Sequence, residues 1–241
     1  MRKMSKNNTR WQTRITMIMV MMTINRVVKA ADTNDVFSPC TDAKIQRKDG
    51  FTFGLAFSTK ESFFLDNVQL SPCDSRLALS AKLAQLALFR PKIDEMSLLT
   101  VNATLASGGY MVAFAGRKYA ARSQPVMVID PNNMLITSFT LVLEFQKGIL
   151  NNLYWKNFGC DSCPQDFVCI DGKECAIPSA KCSNIGGPVD CNLGIQIAFS
   201  GTDKNFESLN SWYEVSNLRR HSLHGLYSNV RDTINQFTQP L

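Results

Sequence analysis

The stretch LITSFTLVLEFQKGILNNLYWK, residues 135–156, decides the fold. On either side of Gln146-Lys147-Gly148, apolar residues alternate with others. Successive side chains of a strand point to opposite faces, so a period of two marks a half-buried strand. A short connection carrying glycine at a left-handed position joins two such strands into a hairpin. The core of this chain is therefore expected to be β-sheet.

Working outward, FTFGLAF (51–57) and FFLDNVQL (63–70) read as strands. RLALSAKLAQLALF (76–89) fits neither the helical nor the strand period, and reads as a short helix or turn leading into a strand at 84–89, ended by Pro91. MSLLTVNATL, YMVAFA and PVMVI follow as apolar runs, broken by Gly108-Gly109, Gln124-Pro125 and Asp130-Pro131. GIQIAFS (194–200) and SWYEV (211–215) resume the strand pattern. Leu223, Leu226, Tyr227, Val230, Ile234 and Phe237 then recur at three and four, the spacing of a short C-terminal amphipathic helix. Many short strands with frequent turn signals predict an all-β chain, an antiparallel β-sandwich.

The chain begins MRKMSKNNTRWQTR, basic and without an acid, followed by the apolar ITMIMVMMTI (15–24) and the small-x-small Val28-Lys29-Ala30. That order is the pattern of a secretory signal peptide, residues 1–30, leaving one secreted domain over 31–241. A spanning helix needs about 20 apolar residues, twice this run, so no membrane span is expected in the mature form. The whole sequence holds 26 basic and 20 acidic residues, and seven of the basic ones lie in the first thirty. Removing them leaves 19 basic against 20 acidic, which gives no support for nucleic-acid binding.

All eight cysteines fall after the signal. Six form a module at 159–192: Cys160, Cys163, Cys169, Cys175, Cys182 and Cys191. A zinc ribbon needs a second close pair some 15 to 20 residues after the first, and there is none. Cys160 and Cys163 with His221 and His224 would be an irregular set, and export favours disulfides, so no metal or other cofactor is expected. A redox C-x-x-C would open a helix, whereas Phe158-Gly159 and Pro164 mark a loop. Six cysteines closing among themselves leave Cys40 for Cys73, each in a local SPC phrase; the fifteen connectivities within the six stay open.

Signs of catalysis are sparse. The chain has two histidines and no G-x-S-x-G elbow, H-E-x-x-H or phosphate-binding glycine loop. A carboxylate pair drawn from Glu144, Glu214 and Asp94 is the alternative, a carbohydrate-active hydrolase. Binding has better material: Trp155 and Trp212, which can stack on sugar rings or pack in the core, and the basic Arg117, Lys118 and Arg122. Asn102-Ala103-Thr104 is a glycosylation acceptor in an exported chain. The expected partner is cell-wall polysaccharide or another extracellular protein.

The phrases SPCTDAKIQRKDGFTFGLAFS, QLSPCDSRL, FRPKIDEMSLLTVN, YMVAFAGRKYAARS, SFTLVLEFQKGILNNLYWK and GIQIAFSGTDKNFESLNSWYEVSNLR resemble a plant-specific family of secreted proteins. That family carries a placeholder label of the "expressed protein" kind. The resemblance spans about Val36 to Val230. It implies a plant extracellular or cell-wall setting, brings no catalytic residue, and leaves the activity open.

Overall fold

The hairpin at 135–156 supplies an edge strand and its inner neighbour to the larger of two packed sheets. The computed structural model describes residues 32–59, 62–65, 68–74, 85–101, 109–128, 133–160, 163, 166–183 and 186–214. The signal segment, Asn102 and the amphipathic run 223–237 lie outside the described residues. Those described belong to one compact unit, Asp32–Leu241.

Among the described residues, fifteen strands run in chain order. β1 (Phe53–Ser58), β4 (Gln85–Phe89), β6 (Tyr110–Ala115) and β7 (Tyr119–Arg122) form one sheet in the order β4-β1-β6-β7. β10 (Ser138–Gln146), β11 (Ile149–Trp155) and β14 (Leu193–Thr202) form the second, with β5 (Ser97–Val101) and β15 (Ser208–Leu209) along the far side of β14. The two sheets face one another through their odd-numbered residues. Phe53, Leu55 and Phe57 of β1 and Met111 and Ala113 of β6 meet Leu141, Leu143, Phe145, Ile195, Ile197 and Phe199. The T-shaped pair Phe51–Phe145, 5.1 Å between centroids, crosses between the layers. At the sandwich edge, the Trp155 Nε1–H donates to the Ala121 carbonyl at 3.0 Å, tying β11 to β7.

This is the expected all-β, mostly antiparallel sandwich. The hairpin turn has Lys147 at φ 53° and Gly148 at φ 80°, so both turn residues are left-handed. Among the described strand pairs, one departs from the antiparallel rule: β10 and β14 are parallel, with Ser138 opposite Gly194 through Phe145 opposite Gly201. Because β11 returns antiparallel to β10, the chain leaves β11 and enters β14 at the same end of the sheet. The cysteine module spans that crossover.

The module is more than a loop. It contains β12 (Val168–Ile170) and β13 (Glu174–Pro178), and β13 pairs with β9 (Met134–Ile136), which pairs with β8 (Met127–Val128). Leu135, Ile177, Cys182 and Cys191 bury one another in a small core of their own.

Two expected strands are corrected. In place of one strand there are two short antiparallel ones, β2 (Phe64–Leu65) against β3 (Val68–Gln69), with Phe63 left-handed at φ 59° and buried against Leu70 and Phe114. Residues 211–214 form a helical turn instead of the strand that SWYEV implies. The cause is non-local: Asp94 Oδ1 accepts the N–H groups of Asn210 and Ser211 at 2.6 and 2.8 Å. A carboxylate on free N–H groups favours a helical start over an extended chain.

Candidate binding cleft

The phrase SPC occurs twice, and it folds the same way twice. Ser38 Oγ accepts the N–H of Cys40 at 3.2 Å, and Ser71 Oγ accepts that of Cys73 at 3.2 Å. The Ser38 carbonyl takes the Thr41 N–H at 3.3 Å, and the Ser71 carbonyl takes the Asp74 N–H at 2.9 Å. Serine hydroxyls that accept a main-chain N–H two residues on favour such turns. The Cys40–Cys73 disulfide joins the turns, 5.3 Å apart at Cα. Both also grip Gly116, in the turn between β6 and β7: the Pro39 carbonyl accepts its N–H at 2.6 Å, and the Ser71 hydroxyl donates to its carbonyl at 2.8 Å.

This staple fixes the chain from Thr41 onward. Ile45 donates its N–H to the Gly148 carbonyl at 2.9 Å, so residues 41–45 run between the β6–β7 turn and the β10–β11 turn. A shallow, solvent-open cleft lies there, at one end of the sandwich. Its floor is apolar, from Ala43, Phe51, Ala115 and Leu150; Thr41, Asp42, Lys118 and Tyr119 stand around it. Gly116 has φ 61°, and a Cβ there would run into the Asp42 carboxylate, so glycine lets that carboxylate sit against the turn. An apolar floor with a few polar groups above it is the usual make-up of a small-ligand site.

The residues singled out from sequence do not converge on one site. Lys118 reaches the cleft, and its exposed neighbour Arg117 flanks it in the chain. Arg122 instead donates to the Ser62 carbonyl at 2.8 Å and lies 4.2 Å over the Phe64 ring, strapping the β2–β3 hairpin onto the sheet. Trp155 packs edge-on against Phe139, 5.9 Å between centroids, with its N–H committed to Ala121. Trp212 lies on the outer face of the second sheet, stacked on Phe158 at 5.8 Å, over Val142 and Ala198. Tyr154 shares that face; burial, with the Glu144 charge adding to it, pushes its hydroxyl above the ordinary tyrosine range.

Of the three carboxylates, Asp94 is fully engaged. Its side chain is only 2% exposed, and its second oxygen pairs with Arg47 Nε at 2.8 Å. Glu144 lies between Asn152 and Ser200 in the sheet, and Glu214 is exposed on the helical turn. The cleft residues that sequence reading passed over are Thr41, Asp42, Phe51, Tyr119 and Leu150. Only the repeated SPC phrase beside Asp42 carried a signal.

All eight cysteines are paired: Cys40–Cys73, Cys160–Cys169, Cys163–Cys175 and Cys182–Cys191. Among the described residues, no helix is long and apolar enough to cross a membrane. No curated protein and no solved structure matches the chain. A family model does, over residues 11–131 and 122–237, and the chain belongs to the family described as "Uncharacterised protein DDB_G0273449".

Proposed function

We propose that this is an exported, disulfide-stabilised binding protein of the cell wall or apoplast, and that its end cleft holds a sugar unit of a wall polysaccharide. The observation that carries the reading is the cleft itself. Ile149, exposed above the buried Phe51, Ala115 and Leu150, offers apolar surface to the C–H face of a sugar ring, while Asp42, Lys118 and Tyr119 offer hydrogen-bonding groups to its hydroxyls. Four disulfides support an oxidising destination, as does the basic and apolar order of residues 1–30. Plant origin follows from the sequence resemblance alone, and a glycan at Asn102 from its acceptor motif.

The test is an array of wall polysaccharides probed with the mature protein, with bound carbohydrate and released reducing ends both measured. Retention of a polysaccharide without cleavage, weakened by Asp42→Asn, supports the reading. Release of reducing ends overturns it in favour of a hydrolase, and no retention at all overturns the polysaccharide ligand.

A further inference from the structure

Two disulfides of the module lie against each other. The sulfurs of Cys160, Cys163 and Cys175 fall within 4.8 Å of one another, and Cys169 Sγ is bonded to that of Cys160. Three sulfurs thus gather at one point, with the fourth, on Cys169, bonded to one of them, and all are drawn from two short pieces of chain. Cys160 and Cys163 sit on one turn, in which the Cys163 N–H donates to the Cys160 carbonyl at 3.3 Å. Cys169 and Cys175 are directly opposed across the β12–β13 ladder, so both leave the same face of the hairpin.

The β12–β13 hairpin is also held by contacts other than the sulfur–sulfur bonds. The β12–β13 turn has Asp171 and Gly172 both at positive φ, and the Lys173 N–H donates to the Ile170 carbonyl at 2.9 Å. β13 is paired to β9 on its other side, with Ala176 and Ile177 buried. These contacts support the Cys169–Cys175 register from outside the two bonds.

We propose that in the reduced protein Cys160, Cys163, Cys169 and Cys175 form a four-thiolate site for a thiophilic divalent cation of the Zn²⁺ class. Four sulfurs about 2.3 Å from a tetrahedral ion stand roughly 3.8 Å apart. Cys169 and Cys175 already face each other across the ladder, so opening the bonded pairs to that spacing by side-chain rotation needs no change of strand register. Exposure also separates this pair of bonds from the third. Cys160, Cys163 and Cys175 are half-buried and Cys169 exposed, whereas Cys182 and Cys191 are 1% and 4% exposed. Exposed disulfides are the more readily reduced. The chemistry balances with a water-soluble phosphine as reductant. Each disulfide takes two electrons and two protons to become two thiols, while the phosphine gains an oxygen from water. A divalent cation then displaces four protons and leaves a complex of charge −2.

The experiment uses the mature chain, reduced with phosphine in metal-free native buffer and titrated with Co²⁺. The expected result is one Co²⁺ per chain, with the visible bands of a tetrahedral ion and a charge-transfer band whose intensity counts four sulfurs, both abolished by equimolar Zn²⁺. Cys169→Ser with Cys175→Ser should lose the tetrahedral bands, while Cys182→Ser with Cys191→Ser should keep them. Near-ultraviolet dichroism, read on every sample, reports whether the aromatic core is retained. No tetrahedral bands in a reduced chain that keeps its core overturns the site. So does an unchanged spectrum in the Cys169/Cys175 variant, or tetrahedral binding seen only after the core signal is lost.

Discussion

Gly116 is held from both sides by one repeated turn: its carbonyl accepts the Ser71 hydroxyl at 2.8 Å while its N–H goes to Pro39, one residue before Cys40. The disulfide, the two SPC turns and the β6–β7 turn are thus a single staple. Asp42 leaves that staple toward the cleft, so the position of a binding group is set by covalent and hydrogen-bonded structure behind it.

Replacing Gly116 by alanine tests this coupling. Its φ of 61° is a conformation that L-residues adopt at a cost, and the added methyl would displace the Asp42 carboxylate. A loss of about 1–3 kcal/mol is expected for a residue held in the left-handed region. Chemical denaturation gives the loss, and ligand affinity should fall further than stability alone requires.

Cys40→Ser with Cys73→Ser removes a cross-link closing a 33-residue separation, worth roughly 3–4 kcal/mol in the chain-entropy model. The other three disulfides close within the module, over separations of 9, 12 and 9 residues, so they should form unchanged. Peptide mapping without reduction checks this directly. A fragment carrying Cys160 bonded to anything other than Cys169 in the variant would show that the two regions fold interdependently.

Asp94→Ala should unfold the helical turn at 211–214 and cost about 1.5–3 kcal/mol, the range for hydrogen bonds to a charged group. Arg47 is half exposed, which moderates the loss of its ion pair. The readout is melting temperature together with Trp212 fluorescence, because Trp212 lies on that turn. A variant with wild-type stability would show that the Asp94 contacts contribute nothing.

Acid should weaken the fold through Asp203. Burial pushes this fully buried carboxyl up, but N–H groups of Arg47, Glu207 and Asn205, with the Lys204 charge, outweigh burial and hold it below the ordinary range. A carboxyl lowered on folding stabilises the native state above its unfolded pKa, and that contribution is lost as pH falls through the folded value. Stability should therefore decline from about pH 4 downward, where unfolded aspartates begin to bind protons. Denaturant midpoints between neutral pH and pH 3 should show a shallower acid limb in Asp203→Asn than in the parent.

What could be read from sequence was what is local. The hairpin at 135–156 declares itself because alternation and the Lys147-Gly148 turn are adjacent in the chain. The parallel pairing of β10 with β14 does not, since strands some fifty residues apart carry no joint signal. The turn at 211–214 is hidden for a related reason: its sequence alternates like a strand, and its cap arrives from Asp94, 117 residues before Ser211. Trp155 and Arg122 look like binding groups by residue type, but both hold one element against another. The cleft draws on four separate segments around Asp42, Phe51, Lys118 and Leu150, which only the fold brings together.

The remaining prediction separates the two surfaces on which a sugar could rest. The cleft offers charged groups over an apolar floor, and the outer face of the second sheet offers Trp212 stacked on Phe158. Asp42 and Lys118 are exposed, so replacing either with alanine should leave stability within about 0.5 kcal/mol of the parent. Removing a charged hydrogen-bonding group from a bound ligand costs about 1.5–3 kcal/mol, roughly ten- to hundredfold in affinity. Trp212→Ala removes a half-buried ring that covers Val142 and Ala198, so it should lower stability while leaving affinity nearly unchanged. Calorimetric titration with a retained oligosaccharide measures all three variants. If Trp212→Ala abolishes binding while Asp42→Ala and Lys118→Ala bind like the parent, the ligand rests on the outer face of the sheet instead of in the cleft.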